Sequence, residues 1–157
     1  MSQGPGKLRT LILAGAGILV LCALVAVFFF DKPRCFVEML YERSRIEQAL
    51  DAYFAAEMRG DLAEVYRCLA PSSDYKRAHT YEDFLNDMRH NPVEIVQYEV
   101  VDIYGLRPNH DPQAYPGVER FAQVEVDVVL RLEGSDSTSE CNFCFTFLKE
   151  GGKWFKG

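Results

Sequence analysis

The two cysteines in Cys141-Asn-Phe-Cys144 have the spacing of a redox or zinc-binding motif. The surrounding residues, Thr138–Leu148, alternate between apolar and polar side chains, which predicts a β-strand. On a strand the two side chains face opposite sides of the sheet, with Cα atoms about 10 Å apart. Because a disulfide spans at most roughly 7 Å between Cα atoms, we interpret both cysteines as structural.

No other reactive residues form a recognisable site in the sequence. His79, His90 and His110 stand before, at the end of and between predicted elements, without the spacing of metal ligands. The chain has no glycine-rich phosphate loop, no G-x-S-x-G nucleophile motif and no H-E-x-x-H zinc motif. The sequence therefore predicts no metal and no cofactor, and we interpret the histidines as surface residues.

Three helices are predicted in the first half of the domain from capping residues and apolar spacing. Ser44-Arg-Ile-Glu47 has the pattern of a capping box, and the helix behind it would end at Gly60. Asp61 would cap a second helix, which ends before Pro71. Thr80-Tyr-Glu-Asp83 would open a third helix, which ends at Asn91-Pro92.

After Pro92 the apolar period changes from 3.6 to 2, which predicts strands. The predicted strands are Val93–Tyr104, Phe121–Glu133, Thr138–Leu148 and a short one at Lys153–Lys156. Phase shifts within the first strand indicate a β-bulge and a bend. The predicted fold class is α+β, with three helices packed on one curved antiparallel sheet.

Thr10–Phe30 is an uncharged apolar segment of 21 residues, preceded by Lys7 and Arg9. As a helix it would span roughly 30 Å, the thickness of a bilayer's hydrocarbon core. The bulky Phe28-Phe29-Phe30 is unlike a cleavage site, which favours an uncleaved anchor. The predicted organisation is a cytoplasmic tail at 1–9, a transmembrane helix at 10–30, an exit segment at 31–43 and a domain at 44–157.

Localisation follows from this anchor: a single-pass protein of the cell inner membrane, with the C-terminal domain extracytoplasmic. Lysines and arginines also follow the segment, so the sequence leaves the opposite orientation open. In an oxidising compartment Cys35 and Cys68 are candidates for a disulfide between the exit segment and the second helix. A net charge of −6 argues against nucleic acid as a partner.

The predicted loop Leu106–Gly117 is long for a connection between neighbouring strands, and loops of this length are often functional. Arg107, His110 and Tyr115 within it are candidates for a protein interface, where arginine and tyrosine are enriched. An ordinary surface loop is the alternative.

The arrangement resembles the nuclear transport factor 2-like superfamily, also called cystatin-like cones, over roughly Ser44–Phe155. The resemblance rests on Met58-Arg-Gly60-Asp61-Leu62, on the long paired strands and on Gly152-Lys-Trp-Phe155. It implies a conical pocket between sheet and helices. Such domains serve as isomerases and cyclases, ligand binders, dimerising modules and parts of membrane machines. The scaffold subunit of type IV secretion systems is similar in layout, with one N-terminal span before this fold.

The ketosteroid isomerase branch of this superfamily implies specific pocket residues. A tyrosine eight residues before the aspartate of the Gly-Asp turn donates to the oxyanion there, and Tyr53 stands eight before Asp61. The position of the catalytic base holds Arg77, and Asp74 is the nearest acid. Tyr53, Asp74 and Arg77 are therefore pocket candidates, and no residue is assigned as catalytic.

These observations favour a membrane-anchored, non-enzymatic binding or assembly module, resembling scaffold domains of envelope machines, with a protein partner or a homodimer. The alternative is a small-ligand carrier or an isomerase- or cyclase-type enzyme that uses the pocket. An enzyme would need polar groups inside the pocket. The predicted inward residues, such as Val126 and Phe145, are almost wholly apolar.

Overall fold

The computed structural model describes residues 15–26, 30–132 and 134–157. Contacts divide the chain into two units, with the boundary between Glu38 and Met39, and the second unit contains the sheet. The helices after residue 30 are α1 Asp31–Met58, α2 Leu62–Cys68, α3 Asp74–Ala78 and α4 Tyr81–Arg89. The strands are β1 Val93–Pro108, β2 Val118–Leu132, β3 Thr138–Glu150 and β4 Lys153–Lys156. The α+β fold class is thus confirmed.

The prediction of a transmembrane helix at Thr10–Phe30 is wrong for the residues that the structure describes. None of the helices that the structure describes is both long and apolar enough to cross a membrane. Residues 15–26 are helical. The remainder of the predicted segment, residues 10–14 and 27–29, lies outside the described residues.

The prediction of three helices is also wrong in two respects: the first helix begins before Ser44, and the structure describes four helices after residue 30. Helix α1 begins at Asp31 and includes the predicted exit segment, because Pro33 lies in the first turn, where no N–H partner is needed. Ser44 is therefore inside the helix, where its Oγ accepts a hydrogen bond from Gln48. The short helix α3, capped by Ser73, was not predicted.

Two predicted helix starts are confirmed by their capping geometry. The side chain of Asp61 accepts from the backbone N–H of Glu64 at the start of α2. Thr80 and Asp83 form a reciprocal capping box at the start of α4. Both signals are local, so they do not depend on the rest of the fold.

The four strands form one antiparallel sheet in the order β1-β2-β3-β4. The register of β1 against β2 shifts between Ile95 and Gln97, between Val100 and Asp102, and between Tyr104 and Arg107. The first two irregularities confirm the bulge and bend predicted from the phase shifts, and the third lies beyond the predicted end of the strand at Tyr104.

The main core lies between the helices and one side of the sheet, here called the inner face. Strand β2 contributes the buried residues Ala122, Val124, Val126 and Val128 at alternate positions. Phe54 of α1 packs on them with its ring stacked on Tyr98, at a centroid distance of 4.5 Å. The opposite side, the outer face, carries the polar residues of the same strands.

Candidate functional site

A cavity of about 230 Å³ opens between α1 and the inner face of the sheet. It is called here the open-end cavity. Its apolar walls come from α1 and from β1, β2 and β3, and include Phe54, Val93, Ile95, Val128, Leu130, Phe143 and Phe145. Tyr53 and Glu57 also line it, one helical turn apart on the same side of α1. The cavity is therefore apolar with a small polar region on one wall.

The polar region is a cluster of Tyr53, Glu57 and Lys156. The Tyr53 hydroxyl donates to Glu57 Oε1 over 2.6 Å. Burial, together with the charge of Glu57, raises the pKa of Tyr53, so its hydroxyl stays protonated. Lys156 Nζ lies 5.1 Å from the centroids of the Tyr53 and Phe145 rings, within cation–π range. A second cavity of about 210 Å³ is lined by all three residues of the cluster together with residues of α2, α3 and α4.

Burial lowers the pKa of Lys156 from its ordinary value of 10.5. The folded state therefore holds this proton less tightly than the unfolded state, and stability should rise with pH as the folded-state amine loses its proton. Lys156→Met is expected to stabilise the protein at pH 7 by about 1 kcal/mol and to remove this rise.

Urea unfolding of both chains between pH 7 and pH 10 measures the effect on Lys156. Lys153→Met in the same short strand is the control, because Lys153 is exposed. If Lys156→Met were less stable than the wild type at pH 7, or if its stability rose with pH as much as that of the wild type, the buried charge of Lys156 would not destabilise the fold.

Asp74 and Arg77 lie outside the open-end cavity. Both are on α3, where Asp74 Oδ1 is 3.7 Å from Arg77 Nη1 and the Asp74 side chain is 80% exposed. Arg77 Nη1 also donates to the carbonyl oxygen of Ala114 over 2.7 Å. Of the three pocket candidates, only Tyr53 lines the cavity.

The interface candidates contact the protein's own sheet. The Arg107 guanidinium stacks on Phe121 at 4.4 Å, and the Tyr115 ring meets Phe121 edge-on at 5.4 Å. Phe121 and Leu148 form a small second core with Tyr115 packed against it. His110 is exposed. The predicted loop start at Leu106 is wrong, because β1 continues to Pro108: Arg107 packs at the end of this strand, and only Tyr115 packs from the loop that follows.

The surroundings of the cysteines are determined by the strand or helix that carries each of them. Cys144 is on the outer face, 3.3 Å from Gln123 Oε1, and Cys141 is at the alternate position on the inner face. Cys68 carries a free thiol, which donates to Glu64 Oε1 over 3.9 Å. The predicted bridge from Cys35 to Cys68 is therefore not formed in this structure.

The histidines and the acidic residues form no metal site within the described part of the chain. His79 Nδ1 lies 3.2 Å from the carbonyl oxygen of Tyr75, and His90 Nδ1 lies 2.7 Å from that of Asn86. Each ring thus contacts the backbone of its own helix end.

An apolar rim lies at the open-end cavity and at the groove beside it. It consists of Met58, Val93 and Phe143, which are large apolar side chains with substantial exposure. Val93 and Phe143 also line the cavity, and Met58 and Val93 line a neighbouring groove of about 620 Å³. These three side chains are therefore only partly covered by the described chain.

No protein-family model, curated protein or solved structure matches this chain. The resemblance to the nuclear transport factor 2-like superfamily accordingly stays a prediction.

Sequence reasoning missed Glu57, Lys156 and the rim. Glu57 could have been recognised because it lies four residues after Tyr53 on one helical face. Lys156 shares a strand face with buried Trp154, two residues earlier, which places it towards the inner face. No sequence signal identifies the rim, because its members come from one helix and two strands.

Proposed function

We propose that this protein is a non-enzymatic binding module whose open-end cavity receives an apolar side chain of a protein partner. The observation that carries this proposal is the exposed apolar rim of Met58, Val93 and Phe143, two of which line an apolar cavity. Exposed apolar side chains around a concave pocket are typical of interaction sites. Partner anchors that fill such pockets contribute much of the binding energy of an interface.

The size of the cavity supports a side chain as its occupant. Its volume of about 230 Å³ is smaller than the ~300–1,000 Å³ that drug-sized ligands need. An aromatic or branched aliphatic side chain would bury Val93 and Phe143 on entry. Each Å² of apolar surface removed from water contributes about 25 cal/mol, before the cost of ordering both partners.

The arrangement of polar groups does not favour isomerase-type proton transfer. Such a reaction needs a base on the substrate proton and a separate donor on the substrate oxygen. Here the donor, Tyr53, is hydrogen-bonded to the acid, Glu57, over 2.6 Å. Asp74, the acid nearest to the expected base position, lies on α3 away from the cavity.

A small-ligand carrier is the second candidate, because of one observation. The Lys156 ammonium lies beside the cavity wall, against the rings of Tyr53 and Phe145. A compact apolar molecule with a carboxylate could pair with this ammonium while its hydrocarbon part contacts Phe145 and Val128. This candidate predicts an adduct of small mass when a photoreactive amino acid is placed at Val93.

The test is site-specific photocross-linking in cells that express the full chain. A photoreactive amino acid at Val93 is expected to capture a protein partner. The same residue at Val101 is the matched control, because it lies on the same strand with similar exposure, 48% against 39% for Val93, and does not line the cavity. Capture at Val93 should be lost when Phe143→Glu is added.

Three outcomes separate the candidates. A protein adduct at Val93 alone, sensitive to Phe143→Glu, supports the binding module. A small-mass adduct at Val93 supports the carrier. Equal adducts at Val93 and Val101, or no adduct at Val93, would contradict the proposal that this cavity is the binding site.

A further inference from the structure

Strand β3 is paired on both sides for only part of its length. Strand β4 pairs with Phe147–Glu150, and Gly157 N–H donates to the carbonyl oxygen of Thr146 over 2.8 Å. From Thr138 to Phe145, β3 pairs with β2 on one side, and no strand of the described chain pairs with its other side. This free segment is called here the open edge. All its residues from Thr138 to Cys144 are exposed, except the partly buried Cys141.

Strand geometry determines which backbone groups point away from the sheet at the open edge. The carbonyl of Thr146 points towards β4, since it accepts from Gly157. Alternate residues of a strand point their N–H and C=O groups in the same direction. The pairing of β2 with β3 has no irregularity in this segment, so the alternation is unbroken. The outward-pointing residues are therefore Thr138, Glu140, Asn142 and Cys144.

The open edge lacks the features by which proteins usually protect such strands. Protected edges carry lysines, prolines or bulges, or are covered by other elements. The segment Thr138–Phe145 contains no proline and no lysine, and Glu140 is its one charged residue. A strand of this kind is suited to pairing with another extended strand.

We infer that the open edge of β3 pairs, antiparallel, with the same edge of a second copy of this chain. The inference goes beyond the proposed function, because it concerns the strand edge and does not require the cavity to bind a partner. A two-fold axis makes such an interface self-complementary and closed, so each copy supplies one identical edge.

One register satisfies the outward-pointing groups best. With Cys141 on the two-fold axis, Thr138 faces the partner's Cys144 and Glu140 faces the partner's Asn142, so all four outward residues are paired. Moving the axis to Asn142 sets Thr138 against the partner's Thr146, whose carbonyl is already occupied. Moving it to Glu140 leaves Cys144 without a strand residue opposite.

The charge of Glu140 favours the same register, with Cys141 on the two-fold axis. The axis at Glu140 would also place two carboxylates directly opposite each other, which destabilises a strand pair. The register centred on Cys141 instead sets each Glu140 against an asparagine amide. It therefore uses the whole edge without a facing pair of like charges.

This register predicts that the two Cys141 side chains lie side by side. Cys141 faces its partner's Cys141 as a non-hydrogen-bonded pair, whose Cα atoms are about 4.5 Å apart. Phe143 lies over the partner's Ser139, so a small residue receives the exposed ring. The two Cys144 side chains are six residues out of register, about 20 Å apart along the strand direction.

Single-cysteine variants of the full chain test the register. In one, only Cys141 is retained, and in the matched control only Cys144 is retained, with serine at the other cysteines. Diamide, which accepts two electrons and two protons from a pair of thiols, is added in a non-ionic detergent buffer. The chain that retains Cys141 is expected to form a covalent dimer. The chain that retains Cys144 is not, because the distance between the two Cys144 residues exceeds the roughly 7 Å between Cα atoms that a disulfide can span.

A second pair of variants tests the edge without cysteine chemistry. Asn142→Pro removes an N–H that points to the open edge and not to β2, so the sheet of one copy is kept. Asn142→Ala keeps that N–H and is the control. Sedimentation is expected to give a dimer mass for the wild type and Asn142→Ala, and a monomer mass for Asn142→Pro.

The results separate cleanly into support and contradiction. A dimer that is lost with Asn142→Pro and trapped only through Cys141 supports the inference. A wild-type monomer at about 100 µM, equal cross-linking of Cys141 and Cys144, or a folded Asn142→Pro dimer would each overturn it. None of these results depends on photocross-linking at Val93.

Discussion

Val126→Asp is expected to prevent the domain from folding. Val126 lies in β2 with no exposed surface, between Val100 of β1 and Phe143 of β3. An ionised carboxylate there would lose its hydration without gaining a partner, at a cost of several kcal/mol. Because the whole stability of a domain is about 5–15 kcal/mol, this one change removes most or all of it.

The control for Val126→Asp is the neighbouring Asp127→Asn. Asp127 is exposed on the outer face and accepts from Asn142 Nδ2 over 2.7 Å, and an asparagine can still supply an oxygen there. Circular dichroism and urea unfolding of the full chains provide the measurement. A cooperative unfolding transition for Val126→Asp, or equal losses in both variants, would contradict the assigned faces of β2.

The sheet is the part of the fold that the sequence predicts best. Alternation in β2 is a local signal, and each inward residue, from Ala122 to Val128, is indeed buried. The caps at Asp61 and Thr80 are local in the same way. The start of α1 was missed because Pro33 was interpreted as the end of the preceding helix, whereas proline is favourable in the first turn of a helix.

The candidate site was predicted less well, because it depends on where separate elements meet. Tyr53 was found from its spacing to Asp61, and it does line the cavity. Asp74 was placed by the resemblance, but the unpredicted helix α3 carries it to the surface. Lys156 approaches Tyr53 because β4 pairs with the end of β3 across the two-residue turn Gly151-Gly152, and the contact itself depends on where α1 lies on the sheet.

Glu42 connects α1 to the last two strands through a partly buried set of charged hydrogen bonds. Lys149 Nζ donates to its Oε1 and Trp154 Nε1 to its Oε2, each over 2.8 Å. The side chains of Glu42 and Lys149 are only 14% and 15% exposed. Removing one member of such a pair leaves the other charge desolvated, which costs more than the loss of an exposed pair.

Burial alone would raise the pKa of Glu42, but the hydrogen bonds from Lys149 and Trp154 and the charge of the lysine lower it below 4.5. The unfolded chain therefore binds this proton more tightly than the folded one. The contribution of Glu42 to stability is complete above the unfolded-state pKa and is lost as the pH falls through the folded-state value.

Glu42→Gln is therefore expected to lower the free energy of unfolding by about 2–3 kcal/mol at pH 7. The difference from the wild type should shrink below about pH 4.5, where protonation of Glu42 has the same effect as the substitution. Urea unfolding at pH 7 and at pH 3.5 measures both quantities. The control is Glu47→Gln on the same helix, whose pair with Arg43 is exposed and should contribute no more than about 0.5 kcal/mol. If Glu47→Gln were equally damaging, or if the loss at Glu42 were as large at pH 3.5 as at pH 7, the charged link between α1 and the sheet would not stabilise this fold.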